Sequence, residues 1–320
     1  MMENIAENPD YAFLVGKVRV LESRLIHPGV FYQLAELKSV EEIISHLSPY
    51  YPLPKEGRMK EWEEILEEAY FSIFQELSSL SPDEELFLPF WWRWELINLN
   101  NLLDEFLGKR SISWKREYLL PLSLYERAGK EKNFRLLPLP YSLWLKTALE
   151  MEKEGEGKGR KYLEEVYFKE SLSISNSFPL LKKYLEQEID FYNLKCFLRG
   201  LEKEFLKGGK ISVQDWKEVK EKGWNYLINL LKRSDYETLA EEGLPAYKKN
   251  EVWRLEINLW KERFSLFSHT LYSPFIPETS LFYLLRKENE IRNLRWLLMG
   301  KVSGLPSKEI KERLGPFYVL

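Results

Sequence analysis

Three acidic side chains recur in one sequence pattern and are the residues best suited to acid–base chemistry. Each is followed three positions later by an asparagine, and the pairs are Glu95 with Asn98, Asp190 with Asn193, and Glu290 with Asn293. A buried carboxyl group acquires a raised pKa, which suits a general acid. Acid–base catalysis, however, needs groups with different pKa values, whereas three copies of one arrangement supply carboxyl groups in similar environments. We therefore predict no catalytic residue and a structural or binding role for these six.

The residues around each acid place it on a helix face. Read from Glu290, the order is acid, apolar, any residue, asparagine, leucine, two of any kind and two apolar residues. On a helix, Ile291, Leu294 and Leu297 share one arc with Glu290. A carboxylate among leucines is costly unless it is hydrogen-bonded or neutralised. Two interpretations follow: a repeated structural hydrogen bond between neighbouring helices, or polar faces that line a shared inner surface and grip a partner.

The spacing of the pattern predicts three copies of one unit. The three asparagines lie 95 and 100 residues apart, and Phe71, Phe168 and Phe264 precede them by 27, 25 and 29 residues. A long regular period is typical of a protein built from repeats. We predict helical repeats at residues 1–113, 114–211 and 212–320. In a closed arrangement they form a funnel with pseudo-threefold symmetry, whose inner wall comes from equivalent helices.

Helical periodicity extends along the chain and strand signals are nearly absent, so we predict an all-α fold. The predicted helices are 11–26, 30–37, 40–47, 59–80, 141–153, 178–205, 216–231, 246–269, 278–300 and 307–314. Ser39 and Ser212 are expected to cap helices, and Gly208 and Gly209 to stop the helix at 178–205. The glycine-rich stretch 155–159 follows a helix and lacks P-loop spacing, so we expect a solvated linker between repeats.

An aromatic cluster, residues 90–94, leads into the first motif. Trp91, Trp92 and Trp94 could form a carbohydrate platform or a membrane-interface belt. At helical spacing, such tryptophans more often belong to a core or a subunit interface, and we favour the interface.

Two runs of residues connect this sequence to a known family. The late run holds Lys287, Glu290, Asn293, Gly300, Gly304 and Pro306, followed by Ile310 and Leu314, and the early run holds Tyr11, Lys17, Arg19, Glu22 and Arg24. With the three repeats, these runs resemble the C subunit of V-type and A-type rotary ATPases, called d in eukaryotic complexes, over essentially the whole chain. One departure concerns Gly108, which follows its asparagine by ten residues, whereas Gly200 and Gly300 follow theirs by seven. The first motif helix is therefore expected to run a turn longer.

The resemblance implies a non-catalytic rotor subunit, a socket that couples the central shaft of the soluble ATPase head to the membrane rotor ring. Such a protein serves proton or sodium transport or ATP synthesis. The resemblance also implies a peripheral place at the cytoplasmic face of the membrane, no cofactor and no direct nucleotide binding. The alternative is an all-α, tryptophan-rich enzyme acting on a polymer or lipid-like substrate. The triplicated motif favours the socket, because an active site does not need three copies.

Composition narrows the functional classes further. A net charge of −3, from 47 basic and 50 acidic residues, provides no basic field for nucleic acid. No apolar run approaches the roughly 20 residues of a membrane-spanning helix, so we expect a soluble intracellular protein. His27, His46 and His269 are scattered, which predicts surface or turn positions and no metal site. The single cysteine, Cys196, is expected to be a buried core thiol.

Overall fold

The computed structural model describes residues 8–55, 58–109, 116–201, 204–272 and 275–317. Within these ranges the regular secondary structure is entirely helical, which confirms the all-α prediction. The α-helices are α1 (Ala12–Glu22), α2 (Pro28–Glu36), α3 (Val40–Leu47), α4 (Met59–Ser79), α5 (Leu88–Phe106), α6 (Leu122–Lys130), α7 (Tyr141–Glu154), α8 (Lys158–Ile174), α9 (Pro179–Leu198), α10 (Val213–Lys222), α11 (Trp224–Arg233), α12 (Leu244–Lys248), α13 (Val252–Phe267), α14 (Thr279–Val302) and α15 (Ser307–Glu312). A π-helical segment, Leu239–Gly243, precedes α12.

Contacts within the chain define two compact units. Unit 1 contains residues 1–83 and 221–320, and unit 2 contains residues 84–220. Unit 1 thus combines the beginning and the end of the chain. The division into three repeats at 1–113, 114–211 and 212–320 stays a prediction.

In unit 1, the long helix α14 supplies the centre of the core. Its predicted apolar arc is buried, with Leu294, Leu297 and Leu298 completely inaccessible. These leucines belong to one cluster with residues of α2, α3 and α4, among them Phe31 and Leu66. Burial of an apolar side chain of this size contributes about 1.5–3 kcal/mol. The end of the chain is therefore held against its beginning by a continuous apolar core.

In unit 2, α5 has the corresponding position. Leu99, Leu102 and Leu103 of α5 are fully buried and cluster with residues of α6, α7 and α8. Trp92 packs edge-on against Trp144 of α7, with ring centroids 5.6 Å apart. Apolar residues at helical spacing on α5 thus place the face that carries Glu95 inside the unit.

The aromatic cluster divides between two environments. Trp92 is buried in the core of unit 2, whereas Trp91 and Trp94 are half-buried. Trp94 stacks on Tyr118 at a centroid distance of 5.6 Å. The favoured interface interpretation is therefore wrong for Trp92, which belongs to the core. The interface interpretation remains a prediction for the two half-buried tryptophans.

Several predicted helix ends are wrong, and backbone geometry explains them. The helix predicted at 178–205 ends at Leu198, because Gly200 adopts a left-handed φ of 72°. The helix predicted at 216–231 is interrupted at Gly223, whose φ is 78°, and becomes α10 and α11. The helix predicted at 246–269 divides into α12 and α13, with Asn250 at a φ of 62° between them. Both predicted serine caps are present, since Ser39 Oγ accepts from Glu42 N–H and Ser212 Oγ accepts from Asp215 N–H.

The glycine-rich stretch 155–159 is not a linker between repeats. Residues 155–157 form a tight turn between α7 and α8, two helices that pack on each other inside unit 2, and residues 158 and 159 belong to α8. A Cβ on Gly159 would lie 2.5 Å from the carbonyl oxygen of Ala148, so the glycine permits the close approach of the two helices.

Candidate functional site

The three motif acids and their asparagines lie on α5, α9 and α14, which we call the motif helices. All six side chains are buried, although each is polar or charged. Buried polar groups of this kind need hydrogen-bond partners. The partners identify what each motif does in the fold.

The first motif acid, Glu95, binds the segment that leads into α6. Its Oε1 accepts hydrogen bonds from the backbone N–H groups of Leu119, at 2.6 Å, and Leu120, at 2.7 Å. Its Oε2 accepts from the hydroxyl of Tyr125, a residue of α6. The carboxylate thus satisfies two backbone donors and orients the helix that follows.

The second motif acid, Asp190, does the same before α10. Its carboxylate accepts from the backbone N–H groups of Lys210, at 3.0 Å, and Ile211, at 3.2 Å. An aspartate is one methylene shorter than a glutamate, so the backbone must come closer. A Cβ on Gly209 would lie 2.1 Å from Asp190 Oδ1. Gly209 is therefore required for the acid's approach and does not serve as the predicted helix stop.

The third motif acid, Glu290, binds a segment from the beginning of the chain. Its Oε2 accepts from the backbone N–H of Ile26 at 2.6 Å. Its Oε1 accepts from the Tyr51 hydroxyl at 2.6 Å and from Lys287 Nζ at 2.7 Å. Lys287 also lies over the Tyr51 ring, 4.6 Å from its centroid.

The three acids share one register relative to the helix that they position. Each accepts the N–H of a residue two positions before a helix begins: Leu120 before α6, Ile211 before α10 and Ile26 before α2. In the first two motifs that helix follows in sequence. In the third motif it is supplied by the start of the chain.

The asparagines bind the backbone of the segment that returns after each motif helix. Asn98 Nδ2 donates to the Arg116 carbonyl at 3.1 Å, Asn193 pairs with both N–H and C=O of Leu206 at 2.7 and 2.9 Å, and Asn293 Oδ1 accepts from Gly315 N–H at 2.9 Å. In the third motif the carbonyl of Gly315 is taken by the Arg292 guanidinium. These contacts support the structural interpretation of the motif, and a shared inner surface remains a prediction.

The glycines that end the motif helices are Gly108, Gly200 and Gly304, with φ of 68°, 72° and 70°. Each N–H bonds the carbonyl three residues earlier, and the next N–H bonds the carbonyl five residues before itself, as in a Schellman motif. The predicted equivalence of Gly300 is wrong, because Gly300 is buried inside α14, which ends only at Val302. The first motif helix does extend further past its asparagine than the second, but the third extends furthest.

Burial shapes the electrostatics of the first motif. It raises the pKa of Glu95, and hydrogen bonds from Tyr125 and from the backbone of Leu120 and Leu119 partly offset this rise. Burial beside Glu95 also raises the pKa of Tyr125 well above its usual range. Two N–H groups and one hydroxyl already donate to the Glu95 carboxylate. This arrangement favours a structural role over proton exchange with a substrate.

Several partners of the motif acids were missed by the sequence reasoning. They are Tyr125, Tyr51 and the backbone segments that the acids bind. Two signals could have indicated the backbone partners. One is Gly209, a glycine that lies beyond the end of the motif helix, and the other is the start of a new helix soon after a motif. Tyr51 carried no such signal, because it lies 239 residues from Glu290.

A metal centre needs several ligating side chains grouped together. Within the described ranges, no three side chains of His, Cys, Asp or Glu are grouped to hold a metal ion. His27 and His46 are exposed as predicted, and His27 caps α2 by accepting the N–H of Gly29. Cys196 is a buried free thiol, which confirms its prediction.

None of the helices in the described part of the chain combines the length and the apolar character of a membrane span.

Comparisons with known proteins identify the family of this chain. The C subunit of the A-type ATP synthase of Methanococcoides burtonii is 24% identical over 362 aligned positions, which cover 98% of this chain and 96% of that protein. The model of the ATP synthase (C/AC39) subunit family matches residues 14–313 and so contains all three motifs. The chain therefore belongs to the ATP synthase (C/AC39) subunit family.

Proposed function

We propose that this protein is the non-catalytic coupling component of a rotary ATPase, a socket between the central shaft of the soluble head and the membrane rotor ring. Its place is peripheral, on the cytoplasmic face of the membrane. The observation that carries the proposal is the common register of the motif acids, in a chain whose family is that of ATP synthase (C/AC39) subunits.

The register supports a closed arrangement of three repeats. Glu95 positions the helix that opens the second repeat, and Asp190 positions the helix that opens the third. Glu290 then positions α2, near the start of the first repeat. A cycle in which each repeat fixes the next has no free end, as expected for a funnel with pseudo-threefold symmetry.

The type of contact suits a part that transmits torque. A passive coupling element must resist deformation, and apolar contacts between helices can slide. Satisfied buried hydrogen bonds, in contrast, fix one arrangement of the helices. The motif acids and asparagines hold backbone groups of the segments that pack on the motif helices, which favours a rigid wall.

The test is purification of the assembled complex. A tagged copy of the chain is expressed in its own host, and membranes are solubilised in a mild detergent. We expect the shaft proteins and the rotor ring to co-purify with the tag, and an untagged strain to yield neither. Recovery of the chain alone, or with stator proteins only, would contradict the proposal.

The enzyme alternative is not favoured, because the buried acids are occupied by structural hydrogen bonds. The proposal requires no nucleotide site on this chain. Calorimetry with ATP and magnesium is therefore expected to give no saturable heat, and micromolar binding would overturn this part of the proposal.

A further inference from the structure

A cavity of about 320 Å³, lined by both apolar and polar side chains, lies in unit 1 between α14 and the connector from α1 to α2. One side is formed by connector residues within 23–27, which we call the strap. The other side includes Arg286, Glu290 and Asn293 of α14. These three side chains are buried, so the cavity reaches charged groups in the interior of the unit.

Apart from the buried side chain of Ile26, the strap is weakly held. Ser23, Arg24 and His27 are exposed, and the N–H groups of Arg24 and Leu25 bond back to the last turn of α1. The backbone of the strap is tied to α14 by the hydrogen bond from the N–H of Ile26 to Glu290. Sparse contacts of this kind are typical of segments that open locally.

The acceptor of that hydrogen bond is reinforced in a way peculiar to the third motif. Lys287, three positions before Glu290, donates to its carboxylate, and both side chains are less than a tenth exposed. The residues three positions before the other motif acids are Trp92 and Gln187, which carry no charge. Among the three motif acids, Glu290, which lines the cavity, is thus the one with a lysine three positions before it.

One residue of the cavity lining, Asn293, carries an unused hydrogen-bond donor. Asn293 Nδ2 is buried and has no hydrogen-bond partner among the described residues. In the second motif, the same atom of Asn193 donates to a backbone carbonyl. In the third, Arg292 holds the corresponding carbonyl of Gly315, so the asparagine N–H remains available.

We propose that the strap is a movable cover of this cavity, closed by the hydrogen bond from Ile26 to Glu290 and kept closed by Lys287 and Tyr51. When the strap lifts, the unpartnered Asn293 Nδ2 becomes accessible from the cavity. The inference does not depend on the proposed function.

Amide hydrogen exchange on the full chain tests the proposal, because the N–H groups of Ile26, Leu120 and Ile211 are all bonded to a motif acid. Replacing Lys287 by Met removes a charge-assisted hydrogen bond to Glu290. We expect exchange at Ile26 to rise about tenfold or more, and exchange at Leu120 and Ile211 to change less than about twofold.

Two further variants keep the test decisive. Lys287→Arg retains the charge and is expected to restore slow exchange at Ile26. Tyr51→Phe removes only the hydroxyl bond to Glu290 and gives a milder perturbation if Lys287→Met folds poorly. The proposal is overturned if neither Lys287→Met nor Tyr51→Phe raises the exchange rate at Ile26. It is also overturned if all three amides accelerate together, which would indicate a global loss of stability.

Discussion

Replacing Asn193 by leucine removes the most complete of the asparagine contacts. The change leaves both the N–H and the C=O of Leu206 without their partner, while the number of side-chain heavy atoms stays the same. An unsatisfied buried backbone group costs about 1–3 kcal/mol, so the free energy of unfolding should fall by about 2–6 kcal/mol. Asn293→Leu orphans only the N–H of Gly315, because Arg292 keeps the carbonyl, and should cost about 1–3 kcal/mol.

Asn100→Leu is the matched control. Asn100 also lies on a motif helix, but its amide donates only to the carbonyl of Leu96 within the same helix. This change should stay within about 0.5 kcal/mol of the wild type. Urea unfolding followed by circular dichroism measures all three variants, with equal m-values as the condition for comparison. If Asn193→Leu matched Asn100→Leu, the asparagine contacts would not hold the fold and the argument from the repeat would fail.

Two further changes test the motif acids. Glu95→Ala should cost about 3 kcal/mol or more, because two backbone N–H groups and the Tyr125 hydroxyl lose their acceptor. Glu95→Gln should be nearly neutral below pH 4.5, where the wild-type carboxyl group is protonated as well. Because the folded state raises the pKa of Glu95, the wild type should lose stability relative to Glu95→Gln as the pH rises above 4.5, the ordinary glutamate value, and a pH-independent difference would refute this. Gly209→Ala places a methyl group against Asp190 and should cost about 2–4 kcal/mol in thermal or urea unfolding. Gly16→Ala, on an open helix surface, should be neutral or stabilising by up to about 1 kcal/mol, and equal effects of the two alanines would exclude a steric cause.

The sequence predicted the helices best where the apolar period is long. Helix α4 lies within a residue of its predicted bounds, and α14 within two residues. Errors arose where a single residue with positive φ interrupts a continuous pattern, as at Gly223 and Asn250. The helices before and after each of these two positions both bury apolar side chains, so the sequence pattern shows no gap there. Local backbone geometry of this kind is not encoded in hydrophobic spacing.

The candidate site was predicted in part. The six motif residues were found from their spacing, since a carboxylate and an asparagine within an apolar arc must be hydrogen-bonded. Their partners were not found, because most are backbone N–H and C=O groups, which every residue carries. For Glu290 the partners come from Ile26 and Tyr51, and no short-range pattern connects them to α14.

The differences among the three motifs follow from what each acid binds. Asp190 is the shortest acid and meets a segment with Gly209, so a close backbone approach replaces side-chain length. Glu95 binds two adjacent N–H groups and a tyrosine without a cation, and burial raises its pKa. Glu290 binds a single N–H from the beginning of the chain and gains Lys287 as an additional partner. The motifs therefore share the position of the bound N–H group, two residues before a helix begins. They differ in the other donors that reach each carboxylate, which are Tyr125 for Glu95, and Tyr51 and Lys287 for Glu290.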